Sequence, residues 1–400
     1  MKRLVIALSL TVATALPVAA QQQAAHTSPT DNDIHEMERQ RFDFGELIPG
    51  RDSDQKSPRA ANFDEAKVGN LVPPPLFASP ADATRQGWEK RRAVLAQLLE
   101  DDWVGRIPEA ANKLKIVWHK DKAAGHDGYP AEHWTGQVIA PDGRAGPVID
   151  ATITFPKRAK HVPALIDYAY IWPANFKFPG PPPGGPRPPD TKQIVLDAGW
   201  AQIDYRPQLL QADNAAQMRQ GVIGLARWPR EQHDWGALRA WGWGASQLRE
   251  ELAKDPRFDG KQISLAGHSR FGKAVLVAAA FDHKFADALV SSSGAGGAKL
   301  MRRDFGEAWT NMAGNGAFHW YTPNVMEYAG HKTVADLPVD AHMLIALRAP
   351  RPLFISAGSP DKGDAWVDPT GEWVATDLAE PAWAVYGLKV PPSHAMFVPK

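Results

Sequence analysis

The stretch Ile263–Ala274, reading Ile-Ser-Leu-Ala-Gly-His-Ser-Arg-Phe-Gly-Lys-Ala, limits the possible folds of this chain more than any other. Gln262–Ala266 is a short apolar run with Ile and Leu, which predicts a buried strand. After Gly272 the chain reads Lys-Ala-Val-Leu-Val-Ala-Ala-Ala-Phe, which predicts a helix. Between them stands Ser269, bracketed by Gly267 and Gly272. A serine lifted at a sharp strand-to-helix bend needs small neighbours. Gly267 lets the bend take a strained backbone, and Gly272 lets the helix approach the strand. The start of the helix would aim free N–H groups and the positive end of its dipole at negative charge forming beside Ser269. The spacing is G-x-S-x-x-G, with Arg270 and Phe271 ahead of the second glycine. Taken alone, that spacing also suits an ordinary βα turn. The strand before, the helix after and a later acidic loop favour a nucleophile.

The rest of the chain predicts the setting. Asp82–Leu99 has apolar residues at helical spacing, and Asp234–Leu252 reads as a helix containing Trp241, Gly242, Trp243 and Gly244. Glycines are costly inside a helix unless it packs closely against a sheet. Lys113–Trp118, Thr135–Ala140 and Val148–Phe155 read as antiparallel edge strands, and Val162–Trp172 as a longer apolar strand. Ile194–Asp204, Ala286–Ser292 and Arg351–Gly358 read as further strands. Phe178–Asp190, dominated by Pro and Gly, reads as a loop, and Gln208–Gly221 as a polar excursion. Strands alternating with helices over residues 160–360 imply an α/β fold: a mainly parallel central sheet, antiparallel strands at its N-terminal side, helices on both faces. Nothing marks a second domain.

Composition sets the compartment. The chain opens Met1-Lys2-Arg3, runs apolar from Leu4 to Leu16 and continues Pro17-Val18-Ala19-Ala20-Gln21. That is the pattern of a signal peptide cut near Ala20, and the apolar run is too short for a membrane anchor. Residues 21–60, rich in Gln, Asp, Ser and Arg, are expected to be a flexible leader, and 61–400 the catalytic domain. With 45 basic and 45 acidic residues the formal charge is zero, which argues against a nucleic-acid or anionic-membrane partner. There is no cysteine, hence no disulfide. A periplasmic or secreted monomer is expected. No His/Asp/Glu cluster has metal-ligand spacing, so no metal or cofactor is expected.

Four motifs together give a sharper reading: Gly267-His268-Ser269-Arg270-Phe271-Gly272-Lys273, Asp234-Trp235-Gly236 with Trp241-Gly242-Trp243-Gly244, Ser293-Gly294-Ala295-Gly296-Gly297, and Asp364-Ala365-Trp366-Val367-Asp368-Pro369. With these the chain, over roughly residues 60–400, resembles the glucuronoyl esterases, carbohydrate esterases of the α/β-hydrolase superfamily. The resemblance implies hydrolysis of esters between 4-O-methyl-glucuronic acid on xylan and lignin alcohols. Another carbohydrate esterase, such as an acetyl-xylan deacetylase, and a sugar-binding homologue without turnover are the alternatives.

The resemblance also implies roles. Ser269 would attack the ester carbonyl, and the backbone N–H and guanidinium of Arg270 would steady the oxyanion. A surface salt bridge is the bland alternative for Arg270. Some family members carry a Glu just before Ser-Gly-Ala-Gly-Gly. Here that position is Ser292, so the triad carboxylate is expected in the later loop. Asp364 fits the family's D-x-W, Asp361 is the runner-up, and Asp368 before Pro369 reads as a turn cap. Lys273 and Glu307 would bind sugar hydroxyls and Trp366 would wall the sugar ring, against the alternatives of a solvated lysine and structural residues. The catalytic histidine should follow the acid. His394 is the one histidine beyond Asp364, and it lacks the family's Gly-Gly-His context, closing strand and helix. The base is therefore expected beyond residue 400, with His394 as the weaker candidate. His319, His331 and His342 precede the acid and read as buried or partnered core histidines.

Overall fold

The computed structural model describes residues 28–70, 72–172 and 190–390. The expected signal peptide, most of the Phe178–Asp190 loop and His394 lie outside them. Eight strands make one sheet: β1 (Lys115–His126), β2 (Tyr129–Ile139), β3 (Ala145–Thr154), β4 (Val162–Tyr168), β5 (Ala201–Tyr205), β6 (Phe258–His268), β7 (Ala288–Ser291) and β8 (Leu353–Ser356). Their spatial order is β1-β2-β3-β5-β4-β6-β7-β8. The pairs β1/β2, β2/β3 and β3/β5 are antiparallel, and β5/β4, β4/β6, β6/β7 and β7/β8 are parallel. This is the expected α/β-hydrolase architecture.

The helices are α1 (Asp31–Arg41), α2 (Arg85–Leu99), α3 (Thr191–Asp197), α4 (Val222–Ala226), α5 (Ala237–Leu252), α6 (Arg270–Phe281), α7 (Trp309–Ala313), α8 (Ala341–Ala346), α9 (Pro369–Ala379) and α10 (Pro381–Ala384). From β4 the chain steps to β5 on one side, then crosses back to β6 on the other. Right-handed crossovers therefore put α3 on one face of the sheet and α5, α6 and α8 on the opposite face. The reversal opens a crevice at the C-terminal ends of β4 and β6, the usual place for a ligand in such sheets. Ser269 sits at that crevice.

The glycines of α5 permit its packing. A Cβ on Gly242 would lie 3.1 Å from the Ala278 Cβ on α6, and one on Gly244 would come 2.3 Å from the Tyr205 hydroxyl of β5. Trp241, fully buried, donates its Nε1–H to the Gln211 carbonyl at 2.7 Å. Its ring meets Phe271 edge-on at 5.3 Å.

Two expectations need correction. Ile194–Asp204 is not one strand, because its first residues belong to α3. Asp190 caps that helix by accepting from the Gln193 N–H at 3.1 Å, a local signal that outweighs the β-branched residues. The leader is not flexible throughout. Thr30 and Asp33 form a capping box, and α1 packs Ile34 into the body. On the same helix Glu38 is fully buried and takes two bonds from the fully buried Arg230, at 2.9 and 2.7 Å. The polar composition hid this, because the helix is anchored by a buried ion pair as much as by apolar contact.

Removing one partner of such a pair strands a buried charge, at about 3–5 kcal/mol. Glu38→Ala should therefore lower unfolding free energy by about that much in urea titrations. A loss below about 1 kcal/mol would contradict the clamp.

Candidate active site

Ser269 follows directly on β6 and caps α6, with φ 57° and ψ −127°. L-residues avoid this region, and holding one there costs on the order of 1–3 kcal/mol. The neighbouring glycines make room for the bend. A Cβ on Gly267 would fall 2.5 Å from the Phe271 carbonyl oxygen, and one on Gly272 would fall 2.8 Å from that of Ser291. The Ser269 N–H donates to Ser291 O at 2.8 Å, tying the bend to the end of β7. Phe271, the residue that lengthens the spacing, is fully buried among Trp241, Tyr168 and Tyr170. Ser269 itself is half-buried at the crevice.

Arg270, its side chain 40% exposed, pairs with a buried carboxylate rather than with another surface group. Its Nη1 donates at 2.6 Å to Asp213, whose side chain is 7% exposed, and the guanidinium lies over the rings of Tyr170 and Trp320 at 6.0 and 5.5 Å. Asp213 also accepts from Trp320 Nε1 at 2.6 Å, and His319 Nε2 lies 3.3 Å from the same oxygen. Burial pushes the Asp213 carboxyl up, but those hydrogen bonds and the Arg270 charge together hold it below its ordinary pKa. Burial works against the Arg270 charge too, and Asp213 more than offsets this, raising the guanidinium pKa. Arg270 Nε is buried with no acceptor among the described residues. Tyr170 donates to His268 O at 2.9 Å, and burial raises its phenol pKa.

The acid loop reaches the same end of the sheet. Ser292, just past β7, has φ 44°, and its hydroxyl donates to Asp364 Oδ2 at 2.7 Å. The Gly358 N–H donates to the same oxygen at 2.5 Å. Asp364 Oδ1 makes no hydrogen bond among the described residues. Asp361 is exposed, whereas Asp368 is buried, caps α9 through the Gly371 N–H at 2.9 Å and pairs with Arg303 at 2.9 Å. Among the described residues no histidine bonds Asp364. His319 is buried on Asp213, His342 is buried on the Pro74 carbonyl, and His331 is exposed but bonded to the Asp43 carbonyl.

Lys273 is buried rather than solvated. Its Nζ donates to the Ala295 carbonyl at 2.5 Å and to Glu307 Oε2 at 2.9 Å. Glu307 Oε2 also accepts the Ala295 N–H at 3.0 Å, while its own N–H donates to the Trp366 carbonyl at 2.8 Å. The structure thus joins Lys273, Glu307 and the Trp366 loop, and Trp366 is half-buried. Lys299, buried behind them, donates to the Glu307 carbonyl at 2.5 Å, and burial lowers its ammonium pKa to about 8.

Residues 141–387 match a family model described as glucuronyl esterase, fungi. A solved glucuronoyl esterase of family CE15 from Teredinibacter turnerae superimposes with a TM-score of 0.81 at 36% identity, over 91% of each chain. The chain belongs to the glucuronoyl esterase family. It is 28% identical over 377 residues to the carbohydrate esterase MZ0003 from an unknown prokaryotic organism, with 82% of each covered. It is also 29% identical over 340 residues to a 4-O-methyl-glucuronoyl methylesterase of Hypocrea jecorina. That match covers 81% of this chain but 63% of the relative, less than two thirds of its length.

Sequence reasoning missed several residues packed around these side chains: Asp213, Trp320 and Tyr170 around Arg270, and Glu372 against the Ser293–Gly294 turn. The first three reach the crevice from segments that carry no motif, so only the fold joins them. The fold also brings His126 and Asp127, at the tip of the β1–β2 hairpin, to Asp190 at the start of α3, a grouping that chain spacing does not reveal.

Glu372 is 2% exposed, and burial pushes its carboxyl up to about 7 against hydrogen bonds from Gly294 and Ser293. The folded chain thus holds this proton more tightly than the unfolded one, whose ordinary value is 4.5. The associated stability is present below pH 4.5 and is lost as pH rises to about 7. Glu372→Gln should remove that part of the fall in Tm between pH 5 and 8. Parallel Tm profiles for the two proteins would contradict the assignment.

Proposed function

We propose that this chain is a serine esterase that hydrolyses the ester between 4-O-methyl-glucuronic acid of xylan and lignin alcohols, through an acyl-enzyme on Ser269. The observation that carries the reading is the convergence of three groups at one sheet end. Ser269 stands on its strained bend, Asp364 is fixed by Ser292, and Lys273 and Glu307 are paired one helical turn along α6. The names of the relatives supply the substrate class.

In this reading the Ser269 oxygen attacks the ester carbonyl as its proton passes to a histidine, which Asp364 Oδ1 orients. The carbonyl oxygen becomes an oxyanion. The Arg270 N–H at the start of α6 and the guanidinium held by Asp213 stabilise it, and because both are fixed beforehand they need no reorganisation when charge develops. Collapse expels the alcohol, which takes the proton. Water then attacks the acyl-enzyme by the same route and releases the uronic acid. Lys273 and Glu307 bind sugar hydroxyls through Nζ and Oε1, which makes no hydrogen bond among the described residues, with Trp366 beside the ring.

The enzyme is proposed to act as a periplasmic or secreted monomer. No helix among the described residues is long and apolar enough to cross a membrane. The sheet edge at β1 carries Lys115, Lys120 and Lys122, charges that discourage edge-to-edge pairing.

The test is turnover of a benzyl ester of glucuronic acid. Ser269→Ala should lose at least about 10³-fold in kcat, and Arg270→Ala about 10²-fold. Lys273→Ala should act mainly on KM. Equal rates for wild type and Ser269→Ala would overturn the reading, as would a preference for acetylated sugars over uronate esters.

A further inference from the structure

We propose that Glu372 is a positioning residue of this site, fixing the Ser293–Gly294 turn so that Ser292 meets Asp364 on one side and Ala295 meets Lys273 and Glu307 on the other. The inference rests on the ester-hydrolase reading. Glu372 lies in the first turn of α9, which begins directly after the loop bearing Asp364 and Trp366. Its Oε1 accepts the Ser293 hydroxyl at 2.9 Å and the Gly294 N–H at 2.6 Å. Ser293 Oγ in turn accepts the Ala298 N–H at 2.9 Å. One carboxyl oxygen thus organises the whole bend that follows β7.

The two residues it grips lie between the two halves of the site. Ser292, immediately before, is the donor that fixes Asp364 Oδ2. Ala295, immediately after, offers its carbonyl to Lys273 and its N–H to Glu307. Gly294 takes its φ of 62° freely, but Ser292, with a side chain, is held at φ 44° in the left-handed region, so the bend needs a hold from outside to keep its shape. Glu372, itself buried, supplies it through Ser293 and Gly294.

Its other oxygen, Oε2, is buried with no hydrogen-bond partner among the described residues. Burying a carboxyl with one oxygen unsatisfied is unfavourable, and an apolar residue would fill the space more stably. The group is accounted for by what Oε1 does to the bend.

The experiment measures kcat and KM of the full chain on a benzyl ester of 4-O-methyl-glucuronic acid. Glu372→Ala should lower kcat about ten-fold or more and raise KM about three-fold, since misplacement by a fraction of an ångström on each side is costly. Glu372→Gln should stay within about three-fold of wild type in both, because its amide oxygen can accept the same two bonds. Ser293→Ala, a smaller change, should lower kcat in the same direction. Three results would overturn the inference: wild-type constants for Glu372→Ala with native near-UV circular dichroism, a Glu372→Gln as impaired as Glu372→Ala, or, should Glu372→Ala not fold, wild-type constants for Ser293→Ala. A wild type without turnover would sink the ester-hydrolase reading and this inference with it, whereas an active wild type matched by Glu372→Ala sinks the inference alone.

Discussion

The backbone of Ser269 is the constraint on which the site depends. A φ of 57° with a ψ of −127° turns the chain from strand to helix within one residue, and that residue stays half-buried at the end of the sheet. The conformation persists because the surroundings over-determine it. Two glycines leave room where carbonyl oxygens come within 3 Å of a notional Cβ, and Ser291 takes the Ser269 N–H. The buried Phe271 ring locks the first turn of α6 from below. The same bend starts the helix, so Arg270 and Lys273 inherit their positions from it.

The second organising feature is the pairing of the ends of β7 and β8. Some relatives, on the resemblance, place a carboxylate just after the strand corresponding to β7. In this chain Ser292 occupies that place and donates to Asp364 from the next strand's loop. With Oδ2 bound by Ser292 and Gly358, Oδ1 is left as the oxygen that can orient a base.

Much of this was legible in the sequence because it depends on local chemistry. Glycine spacing around Ser269, the apolar run before it and the D-x-W loop each encode a conformation within a few residues. The parallel core followed from the alternation of elements. What escaped was non-local. Asp213 holds Arg270 across 57 positions of sequence, and Glu372 holds Gly294 across 78. No pattern along the chain couples such residues. The leader was misread for a related reason: Glu38 looks like solvent-facing charge until the fold brings Arg230 to it. The strand expected from Ile194 failed because a cap at Asp190 decides the start of α3 locally, before packing does.

The central claim is that Ser269 forms a covalent acyl intermediate. The most direct measurement is mass spectrometry of the full chain after exposure to an alkyl fluorophosphonate, which traps activated serines. The account predicts one adduct, on the peptide containing Ser269, formed in step with loss of esterase activity and slowed by methyl glucuronate. An active protein that stays unlabelled, or an adduct at another residue tracking the loss of activity, would contradict it.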